Sequence, residues 1–348
     1  MQKYLQSFLI FVFSIVLLTG CSDKNQQSTS EEAQIPMATQ DVFAMDTYMT
    51  LTGYGEKAEE AILAAVDEIN RINSLFSVGD DASEIAILNR TGTVTASEDT
   101  IYVLKEALSL YESTDGIFDI SIYPLMELWG FTSGDYQVPE PEKLKECLNY
   151  VDASKITLDE ATGTVSIKNG QGVDFGGIAK GYTSDRIMEI FKEYELVSGV
   201  ISLGGNVQCY SGKIDGSPWN CGIQDPDDTD SIMCVVSVKD KAVITSGGYE
   251  RYFTDDKNNT WHHILNPATG YSAESGLSSV TIVSNRGILA DGLSTSVFIM
   301  GLDKAIEYWS SDPEAFDMIL VTENRELYIT EGICDAVSSE YPIHIIHS

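Results

Sequence analysis

Short β-rich runs that alternate irregularly with helical stretches are the feature of this sequence that most limits its fold. Each run is bounded by Gly, Asp, Asn or Ser, which are residues that favour turns. The runs lie at residues 164–168, 199–203, 233–238, 242–245, 279–283 and 317–322, with helical stretches at 180–195 and 288–300. Because their spacing is irregular, they do not fit a barrel of repeated βα units. The pattern predicts a mixed α/β (α+β) fold, built as a single catalytic unit of about 300 residues.

Two further helices are predicted nearer the N-terminus. Apolar residues recur at steps of three and four between residues 58 and 72, which is the spacing of an amphipathic helix. Ser97 suits an N-cap, because Glu98 and Asp99 follow it in the first turn. Both predicted helices are interpreted as scaffold.

The first 40 residues differ in composition from the rest of the chain. Lys3 precedes an apolar run, residues 8–18, that is too short to span a bilayer but suits the core of a signal peptide. The run leads into Leu-Thr-Gly-Cys, ending at Cys21, which resembles a bacterial lipobox. The alternative is an ordinary signal peptide with a coincidental Cys. We predict a signal peptide at residues 1–20 and a lipid on Cys21 that anchors the protein to the extracytoplasmic face of the cell membrane.

The segment after Cys21 is rich in Ser, Gln, Asn, Glu and Thr and has no apolar period. Such a composition is typical of a disordered tether. We therefore predict a tether at residues 21–40 and a folded domain at residues 41–348.

The net charge limits the possible ligands. Lys and Arg number 21 against 53 Asp and Glu, which gives a formal net charge of −32. This charge repels nucleic acid, so nucleic-acid binding is not expected. It also repels anionic dinucleotides, so a phosphate site would need a metal ion, backbone N–H groups or a nearby cation.

A glycine-rich segment provides such groups. Residues 174–182, Asp-Phe-Gly-Gly-Ile-Ala-Lys-Gly-Tyr, follow a predicted strand and begin a predicted helix. Glycine lets the backbone approach a ligand, and the N-terminus of a helix attracts phosphate. Lys180 adds a cation, although the spacing of a Walker loop is absent. A tight strand-to-helix turn without a ligand explains the segment equally well.

A second glycine pair occurs at residues 202–207, Ser-Leu-Gly-Gly-Asn-Val. Because it lies between two β-rich runs, this segment favours a hairpin turn over a binding site.

Histidine is scarce in this sequence, with four in all, yet His262 and His263 are adjacent. On a strand their side chains would point to opposite faces, so only one would reach a site. Histidine suits a general base that deprotonates a hydroxyl. A hydrogen-bonded structural role is the alternative.

Asp291 and Thr295 are four residues apart at the start of a predicted helix. Both side chains would project from one face, as two oxygen ligands of a hard cation do. Ser294 lies near enough to contribute. A helix-capping role for Asp291 is the alternative, and the oxygen donors favour Mg²⁺ over zinc.

Taken together and in this order, these segments resemble the FAD:protein FMN transferase family, often called ApbE-like flavin transferases. Two more segments contribute to the resemblance. Residues 76–89 contain Phe-Ser, Ser-Glu-Ile and Leu-Asn, and residues 116–131 contain Gly-Ile-Phe-Asp-Ile, Pro-Leu and Leu-Trp-Gly-Phe. The resemblance spans nearly all of the mature chain, and a lipobox is common among extracytoplasmic members.

The resemblance implies a T-fold-like architecture with FAD bound as substrate in a cleft and Mg²⁺ beside its pyrophosphate. The implied metal ligands are Gly177, Asp291, Ser294 and Thr295. The implied FAD contacts are Met45, Ile117, Phe118, Asp119, Asp174, Lys180 and Ile264. His263, which precedes Ile264, is the implied base.

The implied reaction transfers FMN from FAD to a Thr or Ser hydroxyl of an acceptor protein and releases AMP. The acceptor would be a subunit or domain of a membrane or extracytoplasmic redox system. One alternative is a Mg²⁺-dependent FAD pyrophosphatase, in which water replaces the hydroxyl. Another is a non-catalytic flavin-binding lipoprotein, which would need FAD but no metal; the Asp291 and Thr295 pair argues against it.

The sequence departs from the family pattern at several positions. Asn266 replaces a frequent Asp before Pro267, and the loss of a carboxylate near the His would weaken deprotonation of the acceptor. Residues 78–79, Val-Gly, lack the usual aromatic for stacking on adenine or flavin. Asp46 and Tyr123 each replace a frequent Gly.

Overall fold

The computed structural model describes residues 35–348. The predicted signal peptide, Cys21 and most of the predicted tether lie outside these residues. The first strand begins at Met37, so ordered structure starts before residue 41, where we predicted it to begin. This strand is mostly exposed along its length, and an edge strand of this kind lacks the apolar period that would reveal it in the sequence.

The main sheet has nine strands. They are β1 Met37–Ala44, β2 Thr47–Tyr54, β6 Ser198–Leu203, β7 Asn206–Tyr210, β10 Ala242–Gly247, β13 Leu277–Ser284, β14 Asp317–Thr322, β15 Leu327–Thr330 and β17 Ile343–Ile346. Their order across the sheet is β1-β2-β6-β7-β10-β13-β14-β15-β17. Neighbouring strands are antiparallel except for β15 and β17, which are parallel. The sheet has two edges and is therefore open.

Smaller sheets flank the main one. Strands β3 Thr93–Thr95, β5 Thr164–Ser166 and β4 Thr157–Asp159 form one of them, and β16 Val337–Ser338, β9 Asp228–Val238 and β8 Trp219–Asp225 form another. A two-stranded ribbon consists of β11 Tyr252–Thr254 and β12 Thr260–His262.

The helices are α1 Ala58–Phe76, α2 Glu84–Thr91, α3 Glu98–Ser113, α4 Tyr123–Trp129, α5 Pro141–Cys147, α6 Ala179–Glu193, α7 Gly287–Met300 and α8 Leu302–Ser311. Short 3-10 helices lie at Ile120–Ile122, Leu148–Tyr150, Ala153–Lys155 and Glu331–Ile333. Within residues 35–348, no helix is both long and apolar enough to cross a membrane.

The local predictions agree with these elements. Each predicted strand overlaps an observed one, and the predicted helices correspond to α1, α3, α6 and α7. Ser97 caps α3, because its hydroxyl accepts a hydrogen bond from the N–H of Thr100. The mixed α/β prediction is therefore confirmed.

Helix α7 is the central helix of the fold. It packs against α6 and against strands β10 and β13 of the main sheet, and most of its residues are buried. A helix that is apolar on nearly all sides is expected in such a buried position. The few polar residues of α7 therefore lie in the interior, where they need hydrogen bonds or a ligand.

Candidate functional site

The N-terminal ends of α6 and α7 meet through two glycines. A Cβ atom at Gly181 would lie 2.2 Å from the carbonyl oxygen of Gly287, and one at Gly287 would lie 2.6 Å from the carbonyl oxygen of Gly181. Any side chain at either position would force the helices apart. The glycines thus bring Lys180 on α6 beside Asp291 on α7.

The carboxylate of Asp291 is buried and held by both neighbouring elements. Its Oδ2 accepts a hydrogen bond from the N–H of Gly181 at 2.8 Å, and its Oδ1 accepts one from Asn206 Nδ2 at 2.9 Å. The ammonium of Lys180 lies 3.8 Å from Oδ1. Because a carboxylate has about four lone-pair positions, these contacts leave room for one more ligand.

The alternative that Asp291 caps α7 is wrong. The N-cap position of α7 is Arg286, and another carboxylate binds the free N–H groups of the first turn. Asp185 on α6 accepts hydrogen bonds from Gly287 N at 2.6 Å and Ile288 N at 2.9 Å. Asp185 therefore fixes the position of α7, which leaves Asp291 facing α6 and β7.

The other implied metal ligands lie close by. A Cβ atom at Gly177 would be 3.9 Å from Thr295 Oγ1. Ser294 Oγ donates to the carbonyl of Asp291 at 2.8 Å and pairs with Ser246 Oγ at 2.7 Å. Ser294 is thus engaged in local hydrogen bonds, whereas the hydroxyl of Thr295 has no hydrogen-bond partner among residues 35–348.

These donors fit Mg²⁺ rather than a softer metal. They comprise the buried carboxylate of Asp291 and the free hydroxyl of Thr295, with the main chain of Gly177 close to that hydroxyl, and hard cations prefer oxygen ligands. Within the described part of the chain, no three His, Cys, Asp or Glu side chains cluster as ligands of one ion. A metal held here would therefore need hydroxyl or main-chain oxygens beside the Asp291 carboxylate.

The glycine-rich segment is both a tight turn and the beginning of α6. Asp174 Oδ1 accepts the N–H of Gly176 at 2.7 Å, and the carbonyl of Phe175 accepts the N–H groups of the two residues before Lys180. The N–H groups of Gly177 and Lys180 form no hydrogen bond with any described residue. They lie at the positive end of α6 and are available to an anion.

His263 lies near these cationic groups. Its Nδ1 is 3.2 Å from the carbonyl oxygen of Arg251, so Nδ1 carries the proton and Nε2 keeps a free lone pair. Burial, helped by the positive charges of Arg251 and Lys180, lowers the pKa of His263 to about 4. The ring is therefore neutral at neutral pH and able to accept a proton.

His262 has different surroundings. It is the last residue of β12, its Nε2 lies 3.1 Å from the carbonyl oxygen of Ala273, and its ring packs edge-on against Phe298. The two histidines thus have separate environments, although His263 follows the strand and is not part of it.

The implied FAD contacts are only partly brought together. The Phe118 ring lies 3.4 Å from the Cβ position of Gly177, and Met45 Sδ is 3.8 Å from Thr183 Oγ1 on α6. Ile264 is buried in the same apolar core as Phe118. Burial raises the pKa of the Asp174 carboxyl, and the positive charges of Arg251 and Lys180 oppose this rise.

Asp119 and Ile117 interact mainly with their own loop. The Asp119 carboxylate accepts hydrogen bonds from Ser121 N at 2.7 Å and from Ser121 Oγ at 2.6 Å. The N–H of Ile117 donates to the carbonyl of Thr114. Any contact of Asp119 with a ligand would compete with bonds that shape this loop.

Asn266, a departure from the family pattern, also has a local role. Its Oδ1 accepts the N–H of Ala268 at 2.9 Å, and its carbonyl accepts the N–H of Gly270 at 2.7 Å. Asn and Asp stabilise such turns in the same way. The structure therefore accounts for Asn266 as a turn residue.

Sequence reasoning missed Asn206 and Asp185. The hairpin predicted at residues 202–207 is confirmed, since it joins β6 to β7 with positive φ at Gly204 and Gly205. Asn206 is nevertheless buried and bonded to Asp291. A polar residue directly after the glycine pair was the only signal for Asn206, and nothing in the sequence distinguished Asp185.

Comparisons with known proteins show which family this chain resembles. The ApbE family model matches residues 45–320. The chain is 30% identical to the Klebsiella pneumoniae FAD:protein FMN transferase over 278 residues, covering 78% of this chain and 85% of that protein. It is 29% identical to the Haemophilus influenzae protein of the same name over 331 residues, covering 93% of this chain and 95% of that protein.

The structural comparison covers the same region. The crystal structure of the ApbE protein from Thermotoga maritima superposes with a TM-score of 0.81 at 32% identity, covering 86% of this chain and 99% of that one. This similarity confirms the predicted ApbE-like architecture. The matched residues include the glycine-rich segment, the histidine pair and Asp291. The chain therefore belongs to the ApbE family.

Proposed function

We propose that this chain is an FAD:protein FMN transferase, which moves the FMN half of FAD to a Ser or Thr hydroxyl of an acceptor protein and releases AMP. Relatives that bear this name match 93% and 78% of the chain. The observation that carries the proposal is the meeting of the α6 N-terminus and Lys180 with the oxygen donors around Asp291, close to a neutral His263.

Mg²⁺ is the metal that we assign to this site. Asp291, Thr295 and main-chain oxygen at Gly177 would hold it as hard donors. The Cβ position of Gly177, which is 3.9 Å from Thr295 Oγ1, and the position of Asp291 one turn before Thr295 on α7 support this assignment. A bound Mg²⁺ supplies positive charge that stabilises negative charge on phosphate oxygens. Because Asp291 is buried, bulk water would not compete with the metal ion for its carboxylate.

The pyrophosphate of FAD would bind at the beginning of α6. The free N–H groups of Gly177 and Lys180 and the ammonium of Lys180 supply the local positive charge that a chain of net charge −32 needs. These groups would hold the phosphates in place for attack. The N–H and ammonium donors would not need to move during the reaction.

His263 would act as the general base. The acceptor oxygen forms a bond to the phosphorus of the FMN phosphate while its proton passes to Nε2 of His263. The bond from that phosphorus to the bridging oxygen breaks, and AMP leaves with that oxygen. The bond between Nδ1 and the Arg251 carbonyl keeps the ring in the tautomer that this step needs.

The reaction can be tested by product analysis. Purified protein is incubated with FAD and Mg²⁺, with and without an acceptor, and AMP is quantified by chromatography. We expect AMP release to require the acceptor and to stop when EDTA removes the metal. AMP release at the same rate with and without acceptor would indicate hydrolysis instead.

The position of Asp291 gives a further prediction. Asn206→Ala removes the donor that fixes Asp291 Oδ1, and loss of such a supporting bond lowers metal affinity by roughly 10- to 100-fold. We expect the Mg²⁺ concentration for half-maximal activity to rise by about that factor, with activity partly restored at high Mg²⁺. Asn220→Ala on the exposed face of β8 is the matched control. An unchanged Mg²⁺ requirement would contradict the role of Asn206.

We also infer that Cys21 carries a lipid that anchors the mature protein on the extracytoplasmic side of the cell membrane. The apolar run and the lipobox-like sequence support this inference. The acceptor would then belong to a membrane or extracytoplasmic redox system that the anchored enzyme can reach.

Cys21→Ser tests the anchor. We expect no lipidated product and unchanged FAD binding, because the polar segment after residue 21 separates the anchor from the folded unit. Mass spectrometry of the mature wild-type N-terminus measures the lipid directly. An unmodified N-terminus at another residue would overturn the assignment.

A further inference from the structure

The tip of the β1–β2 hairpin carries an exposed aromatic pair. Phe43 and Tyr48 are directly opposite each other in the register of β1 and β2, and their rings meet edge-on with centroids 5.0 Å apart. Phe43 is 60% exposed and Tyr48 is 80% exposed. Two large rings in contact with each other and open to solvent form an apolar surface that the fold itself does not use.

Polar residues separate this pair from the far end of the same face, where Met37 is 60% exposed opposite Tyr54. Thr50 Oγ1 donates to Asp41 Oδ1 at 2.7 Å, and Thr39 pairs with Thr52 across the strands. The opposite face is buried against α1 through residues such as Leu51. The aromatic pair is therefore the apolar feature at the tip of the hairpin, set apart from Met37 by polar side chains, and it has no packing role in the core.

The pair lies at the rim of the candidate site. The carbonyl of Tyr48 accepts the N–H of Gly204 at 3.1 Å, and Asn206, two residues further along, holds Asp291. The turn between the strands contains Met45, whose sulfur reaches Thr183 on α6. Both connections attach the hairpin tip to elements that form the site.

A macromolecular substrate must approach this rim. Its hydroxyl has to reach the phosphate site at the beginning of α6, so its neighbouring residues must cover the adjacent surface. Aromatic side chains supply large, rigid contact areas at interfaces and lose little conformational entropy. The hairpin tip offers such an area next to the site.

A membrane surface and a second copy of this chain fit the aromatic pair less well than an acceptor protein does. The exposed carboxylates of Asp41 and Asp46 lie beside the pair, and with the net charge of −32 they repel an anionic membrane surface. A pair of side chains is also far smaller than the roughly 800 Å² per partner of a standard stable interface. A second copy of this chain is therefore not expected to dimerise there.

We propose that Phe43 and Tyr48 form the docking surface for the acceptor protein, which contacts them through apolar side chains beside the modified Ser or Thr. This proposal rests on the proposed transferase function. It assigns the hairpin a role in recognition of the acceptor and none in the chemical step.

The double variant Phe43→Thr/Tyr48→Thr tests the proposal. Threonine preserves the strand preference at both positions, so the fold is retained. The acceptor probe is the polypeptide that the wild-type enzyme labels most strongly with flavin in detergent-solubilised membranes of the source cells, purified in unlabelled form. We expect the KM for this acceptor to rise by about 10-fold or more, the scale of losing one interface anchor. The KM for FAD should change by less than about 2-fold, because the variant leaves the phosphate site intact.

Ile345→Thr is the matched control, since Ile345 is exposed on β17 at the opposite edge of the main sheet. It should leave both KM values unchanged. An unchanged acceptor KM in the double variant would overturn the proposal. This holds even if the variant changes binding to anionic lipid vesicles, which tests the membrane as occupant, or the oligomeric state measured by sedimentation, which tests a second copy of the chain. If the wild-type enzyme releases AMP but labels no polypeptide, the transferase function itself fails and this proposal fails with it.

Discussion

His263→Ala is expected to lower the rate of flavin transfer by roughly 10²- to 10⁴-fold, the usual contribution of a general base. The acceptor hydroxyl has a high pKa, so its proton must leave as the new phosphate bond forms. In the proposed mechanism His263 takes it, because its ring is neutral and the Nε2 lone pair is free. The rate is measured as covalent flavin on the acceptor per unit time.

FAD binding should survive this substitution, because the N–H groups of α6 and Lys180 are untouched. His262→Ala is the matched control. His262 packs against Phe298 and bonds to Ala273, so its loss should lower thermal stability more than the rate of transfer. If His262→Ala is inactive and His263→Ala is active, the assignment of the base is wrong.

Asp291→Asn is expected to lower turnover by about 10²-fold or more, comparable with the loss of one strong transition-state stabiliser. The substitution keeps the size of the side chain but removes the charge that a hard cation needs. It also places an amide NH₂ group between two donors, Gly181 N and Asn206 Nδ2, where the carboxylate accepts from both. One buried donor therefore loses its acceptor, which costs about 1–3 kcal/mol of folding stability.

Steady-state rates at several Mg²⁺ concentrations measure the loss of turnover, and thermal unfolding measures the loss of folding stability. Asp303→Asn, in the first turn of α8, is the control for loss of one negative charge elsewhere. Wild-type rates that are insensitive to EDTA would contradict the metal assignment. A variant with full activity and a normal melting temperature would contradict the role of Asp291.

The elements that the sequence predicted well are those with local signals. Apolar periodicity located α1, and the order Ser97, Glu98, Asp99 located the beginning of α3. Strand β14 was predicted at its observed bounds, because five of its six residues are buried and turn residues flank it. In each case the residues that define the element are close together in the chain.

The site was predictable only in part, because its geometry depends on contacts distant in sequence. The spacing of Asp291 and Thr295 indicated one face of a helix, and the structure places both near Gly177 or Gly181. The bond from Asn206 spans 85 residues, and no local pattern indicates it. The same holds for Asp185, whose bonds to the beginning of α7 span about 100 residues.

Asp119 illustrates a different limit. The sequence shows a carboxylate in a segment that resembles a flavin-binding motif, but it does not show which direction the side chain takes. In the structure its oxygens accept hydrogen bonds from Ser121 and Ala153. Bonds within its own turn and one bond from a distant segment thus engage a carboxylate that the resemblance assigns to the ligand.

The central claim is that the acceptor is a protein hydroxyl and not water. The most direct measurement combines wild-type protein, FAD, Mg²⁺ and the purified acceptor, followed by denaturing gel electrophoresis and intact-mass analysis. We expect fluorescent flavin that remains on the acceptor after denaturation, a mass increase equal to FMN minus water, and one AMP released per flavin attached. Abundant free FMN and AMP with an unmodified acceptor would contradict the account and identify the protein as a pyrophosphatase.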